Sequence, residues 1–219
     1  MAKKIINPEE KAASDYYNTE YYKKIDSSKP LSHINWWSVR YRENLLLRLF
    51  NGKHICDVGC GPGFYVAYCA SQGIQIDGVD ISQKVIAYCK KHIHNAGFAT
   101  CDVERQKLHT AYEGIYSFDV IEHIFDYDSF LKNIHDSLEP GGVVLLSTPN
   151  VLAPQNRLKF LLGYGIPFGD KEHVHFFTPS LIEEALRHAG FRGIRIFGTG
   201  KLAWLSTSLS GNIYIIGRK

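Results

Sequence analysis

The chain has 219 residues, of which 45% are apolar and 21% charged, with a formal net charge of +3. That is enough chain for one domain with a full core, and too little positive charge to argue for nucleic-acid binding. No run of 18 apolar residues reads as a spanning helix, and residues 1–8 lack the apolar stretch of a signal peptide, so a cytoplasmic protein is expected.

Residues 1–30 are polar and tyrosine-rich, with Tyr16, Tyr17, Tyr21 and Tyr22. Residues 34–50 form a helix candidate whose apolar positions are Trp36, Trp37, Tyr41, Leu45, Leu46 and Leu49. A short strand at 55–58 runs into a glycine turn and a helix at 64–71. A second strand, 74–80, ends in Asp80. Ser82 caps the next helix, which buries Val85, Ile86, Cys89 and Ile93 and ends at Gly97. A third strand, 98–103, contains Asp102, and a fourth begins at Tyr112 and leads into Glu122-His123. Asp126 or Asp128 caps a helix carrying Phe130, Leu131, Ile134 and Leu138, stopped by Pro140-Gly141-Gly142. A fifth strand follows at 143–147. Residues 151–177 fit no strand–helix unit, and a connection that long in a compact domain is usually functional or mobile. Thr178 and Pro179 open a helix that buries Leu181, Ile182, Ala185 and Leu186 and stops at Gly190. Strands at 191–197 and 212–216 close the pattern. The alternation predicts an α/β fold with a doubly wound, mainly parallel sheet. The five cysteines, at 56, 60, 69, 89 and 101, form no C-x-x-C pair and are expected to be reduced and buried.

The glycines at 59, 61 and 63 carry the chemistry. Glycine accepts positive φ and lets backbone approach a ligand with no Cβ in the way. The helix that follows turns its free N–H groups to the same place. A dinucleotide fingerprint, G-x-G-x-x-G, would need a glycine at 64, where the chain has Phe64. The spacing here is G-x-G-x-G, with Asp57 two residues ahead. At Asp57-Val58-Gly59-Cys60-Gly61-Pro62-Gly63 the chain resembles the Rossmann-like S-adenosylmethionine-dependent methyltransferases.

That resemblance implies a seven-stranded sheet, order 3-2-1-4-5-7-6, with a reversed last strand and Trp204 in the loop of the edge hairpin. It implies one domain over 1–219, with residues 1–50 and the insertion 151–177 covering the substrate side. It places S-adenosylmethionine against Asp57, Gly59, Cys60, Gly61, Gly63, Asp80, Ile81, Asp102, Val103 and Asp119. Asp57 would face the methionine amino group, Asp80 the ribose hydroxyls, Asp102 the adenine amino group, and the Val103 N–H the adenine ring. The segment Asp119-Val120-Ile121-Glu122-His123 is similar to one that flanks the transferred methyl in that family.

Methyl transfer is an in-line displacement for which an enzyme supplies orientation and a dry site. An oxygen acceptor needs a base, most often histidine near neutral pH. Glu122, His123, His173 and His175 are the catalytic candidates, against a plainer reading of each as a loop brace; His33 reads more simply as structural. If 173–175 is extended, both of its histidines share a face. A weaker resemblance to ubiquinone-biosynthesis O-methyltransferases, also visible at Lys29-Pro30-Leu31 and Ile34-Asn35, implies a metal at Asp119, Glu122 and His123, with Asp in place of the usual Glu. Loop packing explains the three equally, and no metal is assigned. Residues 157–168 mix basic and apolar side chains, as interfacial helices do, or form a substrate lid. Trp36 and Trp37 either stack on an acceptor or pack their helix on the core. The reading is O-methylation of a small molecule, with oligomeric state left open. The alternatives are a non-catalytic S-adenosylmethionine-binding scaffold and, behind it, a nicotinamide-dependent oxidoreductase.

Overall fold

The computed structural model describes residues 36–163, 173–199 and 206–219. Seven strands form one sheet in the order β3-β2-β1-β4-β5-β7-β6, the order the resemblance implies. Two compact units are distinguished, Met1–Lys53 with Cys60–Cys101, and His54–Gly59 with Asp102–Lys219.

In the first unit, helix α1 (Trp36–Phe50) buries Val39, Leu46 and Phe50, seven and then four residues apart, one stripe of a helix. The side chains of Trp36 and Trp37, and all of His33, lie outside the described residues. Helix α2 (Phe64–Ser71) buries Val66 and Cys69. Helix α3 (Gln83–His92) is capped by Ser82, whose hydroxyl accepts from the Val85 N–H, and it buries Val85, Ile86 and Cys89. Strand β2 (Gln75–Asp80) pairs in parallel with β3 (Gly97–Thr100), from Asp77 opposite Gly97 to Asp80 opposite Thr100. Gly97 therefore starts a strand and does not end α3; Ile93 already turns extended after His92. A Cβ at Gly97 would stand 2.3 Å from the Asp77 carboxylate, so a larger residue there would have to displace that side chain. β3 ends at Thr100, two residues before Asp102.

In the second unit, β1 (His54–Val58), β4 (Tyr112–Phe118) and β5 (Leu138–Pro149) run parallel, and β7 (Asn212–Arg218) lies antiparallel between β5 and β6 (Arg192–Gly198). Val143–Leu146 of β5 and Ile213–Ile215 of β7 are buried without alternation, as strands covered on both faces are. Trp204 lies outside the described residues.

β5 begins earlier than its sequence signals. Helix α4 (Tyr127–Asp136) stops at Ser137, whose hydroxyl donates to the Asn133 carbonyl and accepts from the Leu108 N–H. Leu138 then pairs with Tyr112 across a bulge, so Leu138 to Gly142 belong to the strand and Leu138 is buried from there. Asp126, not Asp128, caps α4 by accepting from the Ser129 N–H. Hydrogen bonds from the Ser129 backbone and hydroxyl hold the Asp126 carboxyl below the usual carboxylate range. A depressed folded pKa means that the cap's contribution is present above the unfolded value and fades as pH falls through the folded one. Asp126→Ala is expected to cost about 1 kcal/mol of stability near neutral pH, and less at about pH 3, by denaturant unfolding.

The stretch after β5 holds a helix that sequence patterning does not show. Asn150 folds the turn into it: its side-chain oxygen accepts from the Leu152 N–H, and its amide donates to the Ser210 and Thr207 carbonyls. Helix α5 (Pro154–Leu161) follows, with proline at its start and no buried residue. Leu158, Phe160 and Leu161 are 57%, 66% and 80% exposed. Residues 164–172 lie outside the described residues. Helix α6 (Pro179–His188) is capped by Thr178 as expected, but Leu181 is exposed; Ile182, Ala185 and Leu186 make the buried stripe.

Candidate active site

The turn after β1 is built by backbone conformation. Gly59, Gly61 and Gly63 have φ of 77°, 51° and 80°. A Cβ at Gly59 would stand 2.5 Å from a Val120 methyl, and one at Gly63 2.5 Å from Ile93 Cδ1. Positive φ favours glycine at both places, and at Gly59 the Val120 side chain also leaves no room for a Cβ. Gly63 is also the N-cap of α2 and offers no side chain to the first N–H groups of that helix. Asp57 is buried at the end of β1. Cys60 is buried, with its N–H on the Val79 carbonyl.

Asp80 is 5% exposed at the end of β2. One carboxylate oxygen accepts from the Gly61 N–H at 3.0 Å, the other from the Ser82 N–H at 2.8 Å. These two N–H groups fix the orientation of the carboxylate. Ile81, next to it, is half-buried. Asp102 opens a turn: its carboxylate accepts from the Glu104 N–H and pairs with Arg105 Nε at 3.3 Å. Val103 is buried, and its carbonyl accepts from the Asn133 amide at 2.9 Å.

Past the end of β4, Asp119 has a φ of 56°, a left-handed conformation rare for a side chain with a Cβ. It is held by Ser147: the Asp119 N–H donates to the Ser147 carbonyl, and the Ser147 hydroxyl donates to the Asp119 carboxylate at 2.8 Å. Such a conformation costs about 1–3 kcal/mol and persists where its surroundings impose it. Glu122 and His123 follow on a single 3₁₀ turn, Ile121–His123. Glu122 is 1% exposed and accepts from the Thr148 hydroxyl at 3.1 Å. Its main-chain carbonyl accepts from the N–H groups of both Val174 and His175, at 2.9 and 3.1 Å.

That main-chain staple delivers His173. Its ring centroid lies 4.8 Å from that of His123, edge to face. Ligand-type atoms of Glu122, His123 and His173 all lie within 4.8 Å of one another, and among the described residues these three make the metal-capable group. Asp119 is not in that group; its carboxylate accepts from the Ser147 hydroxyl. His175 does not join either. Its Nε2 lies 3.0 Å from the Phe125 carbonyl, which can only accept, so that nitrogen donates. The ring also stands edge-on to Tyr127. The contacts of His175 are thus with Phe125 and Tyr127, and those of His173 with His123. Sequence reasoning missed Ser147 and Thr148, which orient Asp119 and Glu122. Their signal is a hydroxyl pair closing the apolar run Val143-Val144-Leu145-Leu146.

The residues fit S-adenosylmethionine. The glycine turn brings backbone to a ligand with no Cβ in the way, and Asp80 sets a buried carboxylate at the end of β2. This cofactor supplies an activated methyl group on a sulfonium.

Residues 30–196 match the family described as "Methyltransferase domain". The chain is 30% identical over 210 residues to a ubiquinone biosynthesis O-methyltransferase of Idiomarina loihiensis, covering 89% of this chain and 84% of that protein. It is 26% identical over 208 residues to the protein of the same name in Coxiella burnetii, covering 90% and 88%. Among solved structures, the fold is similar to a magnesium protoporphyrin IX methyltransferase of Synechocystis with bound S-adenosylhomocysteine, at TM-score 0.71 and 18% identity over 95% of this chain and 98% of that one. It is also similar to an S-adenosylmethionine-dependent methyltransferase of Archaeoglobus fulgidus, at TM-score 0.66 and 18% identity over 91% and 100%. A nicotinamide enzyme does not account for these matches together with a G-x-G-x-G turn. The chain belongs to the methyltransferase-domain family, as a class I S-adenosylmethionine-dependent methyltransferase with a small-molecule acceptor.

Proposed function

We propose that this enzyme methylates a phenolic oxygen on a small aromatic acceptor with an apolar tail, a precursor of the ubiquinone type. The observation that carries the reading is the carboxylate–imidazole cluster after β4, Glu122 with His123 and His173, in a chain whose relatives are named as O-methyltransferases. In this reading Asp80 takes the ribose hydroxyls and Asp102 the adenine amino group, while the cluster assists loss of the acceptor's proton. A catechol hydroxyl, which is less acidic than water-exposed carboxylates by several pKa units, needs that help at neutral pH.

The exposed apolar residues of α5 support an apolar, surface-dissolved acceptor. Leu158, Phe160 and Leu161 lie beside exposed Arg157 and Lys159, the composition of an interfacial helix. No described helix is long and apolar enough to cross a membrane. A cytoplasmic enzyme in peripheral contact with the membrane fits both facts.

The test incubates the purified protein and S-adenosylmethionine with catechols bearing no tail, a short prenyl tail or a long one, and reads methyl addition by mass spectrometry. Methylation that improves with tail length is expected. Methylation of amines or carboxylates but of no phenol would overturn the reading. Sedimentation with anionic vesicles is expected for the unaltered protein, and to fall severalfold for Leu158→Ser/Phe160→Ser/Leu161→Ser.

A further inference from the structure

We propose that Glu122, His123 and His173 hold a divalent transition-metal ion, and that Asp119 is not among its ligands. The proposal takes its role, but not its binding, from the acceptor-site reading above. Two imidazoles and one carboxylate are a donor set for zinc, cobalt or manganese, whereas magnesium selects oxygen donors and octahedral geometry. The family resemblance implied two carboxylates and one imidazole at 119, 122 and 123. Here Asp119 stands outside the group whose ligand-type atoms converge, and its carboxylate accepts from the Ser147 hydroxyl at 2.8 Å. A second imidazole comes instead from a residue some fifty positions along the chain, carried in by the two hydrogen bonds onto the Glu122 carbonyl.

The geometry suits such an ion. The candidate donor atoms lie within 4.8 Å of one another. Bonds of about 2.0–2.2 Å in a tetrahedron put donors roughly 3.4 Å apart, so the side-chain ends need to close by about an ångström. Glu122 brings its own support, since Thr148 donates to one carboxylate oxygen, and ligand carboxylates are usually hydrogen-bonded in this way. Three protein ligands leave at least one position open, as in catalytic rather than structural sites. The chemistry an ion supplies at such a position is a lowered pKa for a bound hydroxyl.

The test uses the full chain after dialysis against chelator. Calorimetry with zinc chloride is expected to show one site, with magnesium chloride binding at least ~100-fold more weakly. Cobalt chloride is expected to give visible absorption bands of an imidazole-bound ion, a readout that needs no variant. Loss of an outer-shell partner already costs roughly 10–100-fold in affinity, so His173→Ala should weaken zinc about 100-fold while its circular dichroism stays unchanged. Asp119→Asn should leave zinc affinity within about twofold. Absence of zinc and cobalt binding, magnesium binding as tight as zinc, or loss of binding in Asp119→Asn but not in His173→Ala would each overturn the assignment. S-adenosylmethionine is titrated into the same preparation. Cofactor binding without metal binding sinks this proposal alone, and metal binding without cofactor binding sinks the functional reading.

Discussion

Asp80→Ala is expected to lose S-adenosylmethionine binding by at least about 100-fold. A hydrogen bond to a charged group is worth about 1.5–3 kcal/mol, and two ribose hydroxyls face this carboxylate in the reading above. The variant also strips the Gly61 and Ser82 N–H groups of their acceptor, so part of the loss comes from the turn itself. Asp80→Asn separates the two effects. It keeps the side-chain shape and one acceptor oxygen, and should bind with an intermediate affinity and a melting temperature closer to that of the unaltered protein. Calorimetry with both variants reads the result; Asp80→Ala binding within about threefold of the unaltered protein would refute the assignment of Asp80.

Gly59→Ala is expected to be strongly destabilising for the addition of a single methyl group. Its φ of 77° disfavours any Cβ, at about 1–2 kcal/mol. The new atom would also meet a Val120 methyl at 2.5 Å, and overpacking of that kind costs about 1–3 kcal/mol more. Together these approach half of a typical domain stability of about 5–15 kcal/mol. Thermal unfolding should fall by about 5–15 °C. Adding Val120→Ala removes the clash but not the backbone strain, so the double variant should recover part of the loss and no more. Full recovery would mean that strain at Gly59 is negligible.

The parts of this protein legible in its sequence are those whose signals are local. The glycine spacing, the two aspartates at 57 and 80, and the caps at Ser82 and Thr178 each sit within a few residues of the structure they specify. Pro140-Gly141-Gly142 misleads because the same residues that stop a helix also tolerate a bulged strand entry, and only pairing with Tyr112 decides between them. α5 escapes because its apolar residues face outward, so no buried stripe marks it. The meeting of His173 with Glu122 and His123 is least legible of all. It is made by a main-chain carbonyl, which every residue has and no motif records.

Glu122 works through two chemically independent parts. Its carboxylate points to Thr148 and the histidines, while its carbonyl ties down Val174 and His175. Exchanging the side chain leaves the tie in place. The attachment of the distant segment is therefore insulated from changes in the chemistry beside it. A lineage, or an experimenter, can retune the reacting groups at 122 and 123 one at a time without first having to rebuild the scaffold that presents them.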